Sequence, residues 1–424
     1  MYDVVIKNVY VVHDTVQQEV NIGINGNTIA YIGTEGIEGK ETVNGKNRLA
    51  VPGWVNTHTH LAMTLLRSYA DDMDLQSWLN DRIWPAEAKF TDKQFKWGSY
   101  LGLLEMIKGG TTCYNDMYFH MDVTAEATEK AGIRGVLSRG IIVFDDSLQE
   151  KIHENLELYK NWHNKAEGRI KVMLGPHAVY TLGEDHLKAI AATAKEYGIA
   201  NHIHVSETEF EVNNCIKEHG MSPVAYLESV GLFDSPTLAA HCVCVDDNDI
   251  KILARHNVQV AHNPQSNLKL ASGIAPITKM MEAGVNVTIG TDGASSNNNL
   301  DMLEEVQTAS LLAKGITKNP LAVPAEMALQ LGTLNGAQAL GFDKLGKIEV
   351  GYMADIALYK MDACSWYPRH NFMSMLIYAA SSRDVDTVLC NGKVLMKQGE
   401  VLTLDEEKIK FEAAKAALDL VDKK

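Results

Sequence analysis

The stretch Pro52–Arg67, "PGWVNTHTHLAMTLLR", decides how the rest of the chain is read. It puts two histidines one residue apart, directly after an apolar run. On a β-strand alternate side chains share a face, so His58 and His60 point the same way and Thr59 points the other. Two imidazoles on one face can hold a metal ion from a single strand, but a complete site needs further ligands from elsewhere. Those ligands must then stand at the ends of other strands.

They do. Short apolar runs recur along the middle of the chain, each followed by a helical pattern: "LAVPGWVNTH", "TTCYNDM", "IRGVLSRG", "IKVMLGPH", "GIANHIHVSE", "PTLAAHC", "NVQVAHN" and "VNVTIGTDG". Eight β-then-α units over roughly 290 residues suit an α/β fold of the (β/α)8 TIM-barrel type, whose active site lies at the C-terminal ends of the strands. An open doubly wound sheet is the rival, weakened because no GxGxxG opens the first unit. The first run ends in His58 and His60, the fourth in His177, the fifth in His204, the sixth in His241 and the eighth in Asp292. Imidazole and carboxylate together suit zinc, with iron as an alternative.

Both chain ends have a different texture. "DVVIKNVYVV" and "VNIGINGNTIAYIG" near the start, and "GKIEVGYMADIALYKM" and "VDTVLCNGKVLMKQGEVL" near the end, read as strands joined by turns, with hairpin signals at Asn25-Gly26 and Asn391-Gly392. The expected organisation is a composite β domain from residues 1–52 and 344–403, a barrel over 53–343 inserted between them, and a terminal amphipathic helix over 404–424.

Composition narrows the setting. The chain has 424 residues, 46% of them hydrophobic, enough for a large core plus a smaller domain. Its net charge of −15 repels phosphate backbones and argues against a nucleic-acid polymer as partner, though not against a nucleoside. No apolar run is long enough to span a membrane. The start reads as a strand and not as a signal peptide. Six cysteines without a CxxC pair point to a reduced, cytoplasmic protein. Homo-oligomer formation is left open.

Five motifs, in order, resemble the amidohydrolase superfamily: "PGWVNTHTHLAMTLLRSYADDMDLQSWL", "HVSETEFEV", "AHNPQSNLKLASGIAP", "GTDGASSNNNLDML" and "GKIEVGYMADIAL". Within it they are similar to the cytosine-deaminase and triazine-hydrolase branch, and there to the deaminases of 5′-methylthioadenosine and S-adenosylhomocysteine. The resemblance implies one divalent metal per chain, most often zinc, held by His58, His60, His204 and Asp292. It implies that Glu207 shuttles a proton without binding the metal, that His241 stabilises the oxyanion, and that Asp292 accepts a proton from water. The implied reaction is hydrolytic deamination of an adenosine-type nucleoside. Glu87 would bind the ribose hydroxyls, Arg139 the far end of the substrate, and His177 the nucleoside at the rim, with Glu207 and Asp292 also touching it.

Other residues are read more plainly. His202 lies two before His204, one layer deeper, and is expected to be a hydrogen-bonded interior residue. His262 would support the site from behind. Met63, Tyr114, Met117 and Trp84 are candidates for an apolar slot around a thioether. No arginine follows Arg139 in "GIIVFDDSLQEKIHENLELYK", where Lys151 is the nearest cation, so methylthioadenosine or adenosine is expected to serve at least as well as S-adenosylhomocysteine. The alternatives are a deaminase of free guanine or cytosine, or a triazine hydrolase, which would have no ribose for Glu87. A metal barrel that binds without turnover would have no use for Glu207.

Overall fold

In the computed structural model, which describes residues 1–13 and 17–421, both chain ends contribute strands to one nine-stranded sheet. The N-terminal strands are Tyr2–Val11, Val20–Asn25, Thr28–Gly33, Gly39–Asn44 and Arg48–Pro52; the C-terminal ones are Ile356–Lys360, Val385–Cys390, Lys393–Lys397 and Glu400–Val401. The two sets meet where Ile356–Lys360 runs antiparallel to Arg48–Pro52, with Ile356 opposite Pro52. Alternating apolar residues from both ends share a core: Ile6, Ile22, Ile24 and Ile29 with Ile356, Leu358 and Leu389. The Asn391-Gly392 turn has positive φ at both residues, the backbone a two-residue hairpin favours. A Cβ on Gly392 would lie 2.0 Å from the carbonyl oxygen of Gly26, so only glycine allows the two hairpin turns to touch.

The middle of the chain forms two parallel sheets. The first holds Trp54–Thr59, Thr111–Tyr118 and Arg134–Ile141, with the short strands Ile170–Val172 and Gly175–Pro176 both paired to Arg134–Ile141. The run expected as a fourth single strand is thus broken at Met173 and Leu174. The second sheet holds Asn201–Val205, Thr237–His241, Gln259–His262 and Val287–Ile289. Nearly every residue of these strands is buried, as in parallel sheets covered on both faces. The two sheets are stitched at both edges. Leu174 bridges Asn201 in parallel, and His204 N–H donates to the carbonyl of His177 at 3.0 Å. On the other side Asp292 N–H donates to the carbonyl of His58 at 2.9 Å, and Thr57 Oγ1 to that of Ile289 at 2.9 Å.

Helices succeed the strands, among them Asp92–Lys108, Met121–Ala131, Leu148–Trp162, Glu184–Tyr197, Glu209–His219, Asp247–Arg255 and Met302–Thr317. Side-chain caps start several of them: the Asp301 carboxylate accepts from Leu303 and Glu304 N–H, and Thr208 Oγ1 from Glu211 N–H. A buried ion pair ties the nine-stranded sheet to the first parallel sheet. Arg134 donates to both oxygens of Asp355 at 2.9 and 3.0 Å and to Asn391 Oδ1 at 2.8 Å. Paired and hydrogen-bonded, these charges tolerate burial; removing one partner alone would strand the other. The terminal helix runs Glu406–Leu418 with Asp405 as its cap; residues 422–424 of the expected helix, like 14–16 of the first segment, lie outside the described residues. Among the described residues no helix is long and apolar enough to cross a membrane.

Candidate metal and catalytic centre

Four strands deliver the histidines and the acid to one cluster. His58 and His60 come from Trp54–Thr59 and the residue after it, His204 from Asn201–Val205 and His241 from Thr237–His241. Asp292 comes just after Val287–Ile289 in a left-handed turn, φ 61°, that folds its carboxylate back over the strand ends. Ligand atoms of His58, His60 and His204 lie within 4.8 Å of one another, and so do those of His58, His241 and Asp292. Asp292 Oδ1 stands 3.4 Å from His58 Nε2 and 3.3 Å from His60 Nε2.

This donor set fits a cation. Nε2 of His60 and Nε2 of His204 face each other at 3.2 Å, on rings whose other nitrogens are already engaged. Their Nδ1 atoms donate to the carbonyls of Met117 at 2.6 Å and His177 at 2.7 Å. His58 Nε2 is buried and makes no hydrogen bond. Burial pushes His58 down to about 4, so the ring stays neutral with a lone pair to give. Burial alone would raise Asp292, yet its close approach to His58, with charge from His60 and His241, holds it well below the usual carboxylate range. Its Oδ2 accepts from Ser266 Oγ at 2.7 Å and Ser296 Oγ at 3.1 Å, which leaves Oδ1 toward the histidines. Buried neutral imidazoles, an ionised carboxylate and an unpaired donor atom are what a divalent ion requires.

Glu207 and His241 face each other beside this cluster, Oε2 to Nε2 at 3.7 Å. His241 Nδ1 donates to Asn267 Oδ1 at 2.8 Å. Burial raises the Glu207 carboxyl; burial lowers His241, but Glu207 and Asp292 reverse that and raise it. A left-handed Ser206, φ 50°, turns the chain so that Glu207 points inward. The carboxyl group of Glu211 holds that turn, accepting from Ser206 N–H at 2.9 Å and Glu207 N–H at 2.8 Å. Glu211, Asn267, Ser266 and Ser296 are not among the residues expected at the site. Glu211 carries one sequence signal, a second acid four residues after Glu207, and the others stand inside quoted motifs.

A pocket opens onto the cluster, enclosing about 620 Å³ of empty space with its mouth included. His60, His177, His204, Glu207, His241, Asp292 and Glu87 line it, and apolar walls come from Met63, Leu75, Trp78, Leu79, Trp84, Met117, Phe119, Ile142 and Leu270. Glu87 accepts from the Tyr118 hydroxyl at 2.5 Å, and burial lifts its carboxyl to about 7. His177 Nδ1 stands 3.1 Å from Thr181 Oγ1, whose own proton goes to the carbonyl of Ala178, so His177 turns a bare Nε2 to the pocket. The structure does not bring Arg139 to this pocket. Its guanidinium pairs with Glu154 and lies over Phe119, because Arg139 is the neighbour of inward-facing Ser138 and so points to the other side of the sheet. Lys151 Nζ donates to the carbonyl of Ile142 at 2.6 Å, at the pocket's edge. Met63, Met117 and Trp84 line the pocket, but Tyr114 does not: it is buried against Thr128. His262 is buried and also off the pocket wall. His202 is fully buried beneath His58.

The sequence model of the amidohydrolase family matches residues 49–395. A 5-methylthioadenosine/S-adenosylhomocysteine deaminase of Dictyoglomus thermophilum is 51% identical over 381 residues, covering 90% of this chain and 89% of its own. One of Thermoanaerobacter pseudethanolicus is 49% identical over 411 residues, covering 96% and 95%. Among solved structures, a zinc-bound adenosine deaminase from Xanthomonas campestris superposes with TM-score 0.94 at 34% identity, over 99% of this chain and 98% of that one. A zinc complex of an atrazine chlorohydrolase from Arthrobacter aurescens gives TM-score 0.90 at 25% identity, over 98% and 100%.

Proposed function

This chain belongs to the amidohydrolase family, and from that premise we propose that it deaminates adenosine-type nucleosides, 5′-methylthioadenosine and S-adenosylhomocysteine among them, to the inosine analogue and ammonia. The two parallel sheets are read as halves of one closed (β/α)8 barrel, supported by the stitching at both edges. The domain boundaries are placed at 52/53, 343/344 and 403/404. One divalent ion, zinc by the kinship with zinc-bound structures, would be held by His58, His60, His204 and Asp292. The observation that carries the reading is the pairing of that donor set with a buried, unbound Glu207 on the wall of an apolar pocket.

A divalent ion in such a set supplies a water of lowered pKa, near 7 in catalytic zinc sites. The side chains do the rest. Asp292 Oδ1, kept ionised, accepts the proton of the attacking water. Glu207, whose carboxyl burial raises, gives a proton to the ring nitrogen beside the amino-bearing carbon, which breaks the aromaticity that resists attack. His241, with Nδ1–H fixed on Asn267, directs Nε2 at the oxygen that gains negative charge and, when protonated there, donates to it. Asp292 then passes its proton to the amino group, which departs as ammonia while the new hydroxyl gives its proton back to Glu207 and becomes the carbonyl. Glu87 accepts from the ribose hydroxyls, His177 accepts at the rim, and the methionine and tryptophan wall receives the thioether. Arg139 would need a different rotamer to meet the substrate. The protein is proposed to work in the cytoplasm, consistent with six free thiols.

The test is ammonia release from methylthioadenosine, S-adenosylhomocysteine, adenosine, guanine, cytosine and a chlorotriazine, with metal content measured on the same preparation. Turnover of nucleosides supports the proposal. Turnover of free bases or triazine alone overturns it and removes the role of Glu87.

A further inference from the structure

The histidines proposed as ligands differ in what fixes their protons. Nδ1 of His60 and of His204 each faces a main-chain carbonyl. A carbonyl only accepts, so both rings carry the proton on Nδ1 and present a bare Nε2. His58 has no carbonyl. Its Nδ1 lies 2.8 Å from Nε2 of His202, and an imidazole nitrogen either donates or accepts. The tautomer of His58 is therefore set by the tautomer of His202.

His202 Nδ1 has two neighbours, both at 3.1 Å: Ser138 Oγ and Asn115 Nδ2. The Ser138 hydroxyl already donates to the carbonyl of Asp116 at 2.9 Å, so toward His202 its oxygen accepts. Asn115 Nδ2 donates one hydrogen to the carbonyl of Thr57 at 2.9 Å and has a second to offer. Two proton arrangements result. With Ser138 as partner, protons run from His58 Nδ1 to His202 Nε2, from His202 Nδ1 to Ser138, and from Ser138 to the Asp116 carbonyl, and His58 Nε2 is bare. With Asn115 as partner, His202 donates to His58 instead, and the His58 proton moves to Nε2, where no metal can bind. His58, His202, Asn115 and Ser138 are all 0% exposed, so water cannot replace any link.

We propose that His202 and Ser138 are positioning residues whose hydrogen-bond chain holds His58 in its metal-binding tautomer, with Asn115 competing for the opposite one. The proposal rests on the metal centre proposed above. A ring partner of this kind is worth about 10- to 100-fold in metal affinity. The experiment measures Zn²⁺ affinity by competition with a chromophoric chelator, on protein first stripped of metal, with melting curves of the stripped proteins as a check on folding. His202→Leu and Ser138→Ala should weaken Zn²⁺ by about 10- to 100-fold. His202→Gln offers a carbonyl oxygen to His58 and an N–H to Ser138, and should recover most of the loss. Long-range ¹⁵N–¹H spectra of the histidine rings should show the His58 proton on Nδ1 in the zinc-loaded wild type and on Nε2 in a larger share of metal-free Ser138→Ala. Wild-type affinity in Ser138→Ala and His202→Leu, or equal weakening by leucine and glutamine, overturns the relay. His60→Ala separates the two readings: if it too keeps its zinc, or the wild type takes up none, the metal centre itself is wrong.

Discussion

Strand Trp54–Thr59 with His60, and strand Asn201–Val205, carry the same pattern, His-x-His, and put it to different uses. In the first, both rings reach the cluster. In the second, His204 reaches it and His202 lies a layer below, bonded to His58. The segments just beyond the two strands differ as well. Three residues after His60 comes Met63, three after His204 comes Glu207, and both line the pocket. Yet each turn is anchored alike, by a buried carboxyl group: Asp116 accepts from Leu61 N–H at 2.7 Å, and Glu211 from Ser206 and Glu207 N–H. Period two fixes which face a residue takes, while the depth at which the strand stops decides whether it meets substrate or core.

That contrast can be broken first at the metal. His60→Ala should empty the site and lower turnover by more than about 10⁴-fold; elemental analysis giving unchanged metal, or two ions per chain in the wild type, would contradict it. Next comes Glu207, which has no counterpart in the first motif. Glu207→Gln should keep the metal and lose about 10²- to 10⁴-fold in kcat; loss of metal instead would make Glu207 a ligand. Outside both motifs, Glu87→Ala should lower kcat/KM on nucleosides by about ten- to a hundred-fold at unchanged metal content. In the same assay methylthioadenosine and adenosine should match or exceed S-adenosylhomocysteine, and a preference for the latter that vanishes in Lys151→Ala would make Lys151 a specificity residue.

The smallest effect concerns the two anchoring carboxyls. Burial raises Asp116 to about 8 and Glu211 to about 7, against 3.8 and 4.5. The folded protein then holds protons that the unfolded chain releases, so stability falls as pH rises from about 4 toward 8. Asp116→Asn and Glu211→Gln should each flatten the loss of Tm between pH 5 and 8, by on the order of 2 °C. A slope identical to wild type in both variants would show that these carboxyls are ionised in the fold.

Glu87 and Arg139 show where legibility stops. Motif resemblance makes both of them expected substrate contacts. Glu87 lines the pocket, whereas Arg139 pairs with Glu154 across the sheet. The alternation around Ser138 is visible in the sequence, but which of its two faces looks inward depends on the neighbouring strands. Likewise the break at Met173 and Leu174 leaves no mark in "IKVML", which reads as one continuous strand.

The sequence by itself determined the repeating β-then-α pattern, the β strands at both ends and the set of histidines and acids at strand ends, because burial imposes period and residue type locally. Only the tertiary structure decided how those groups are oriented. That Glu211 caps the turn before Glu207, that Asn267 fixes His241, and that His202 stands between His58 and Ser138 are matters of side-chain pairing, in most cases between strands far apart in the chain. Hydrogen-bond direction is a property of pairs, and the second member of each pair is supplied by the fold.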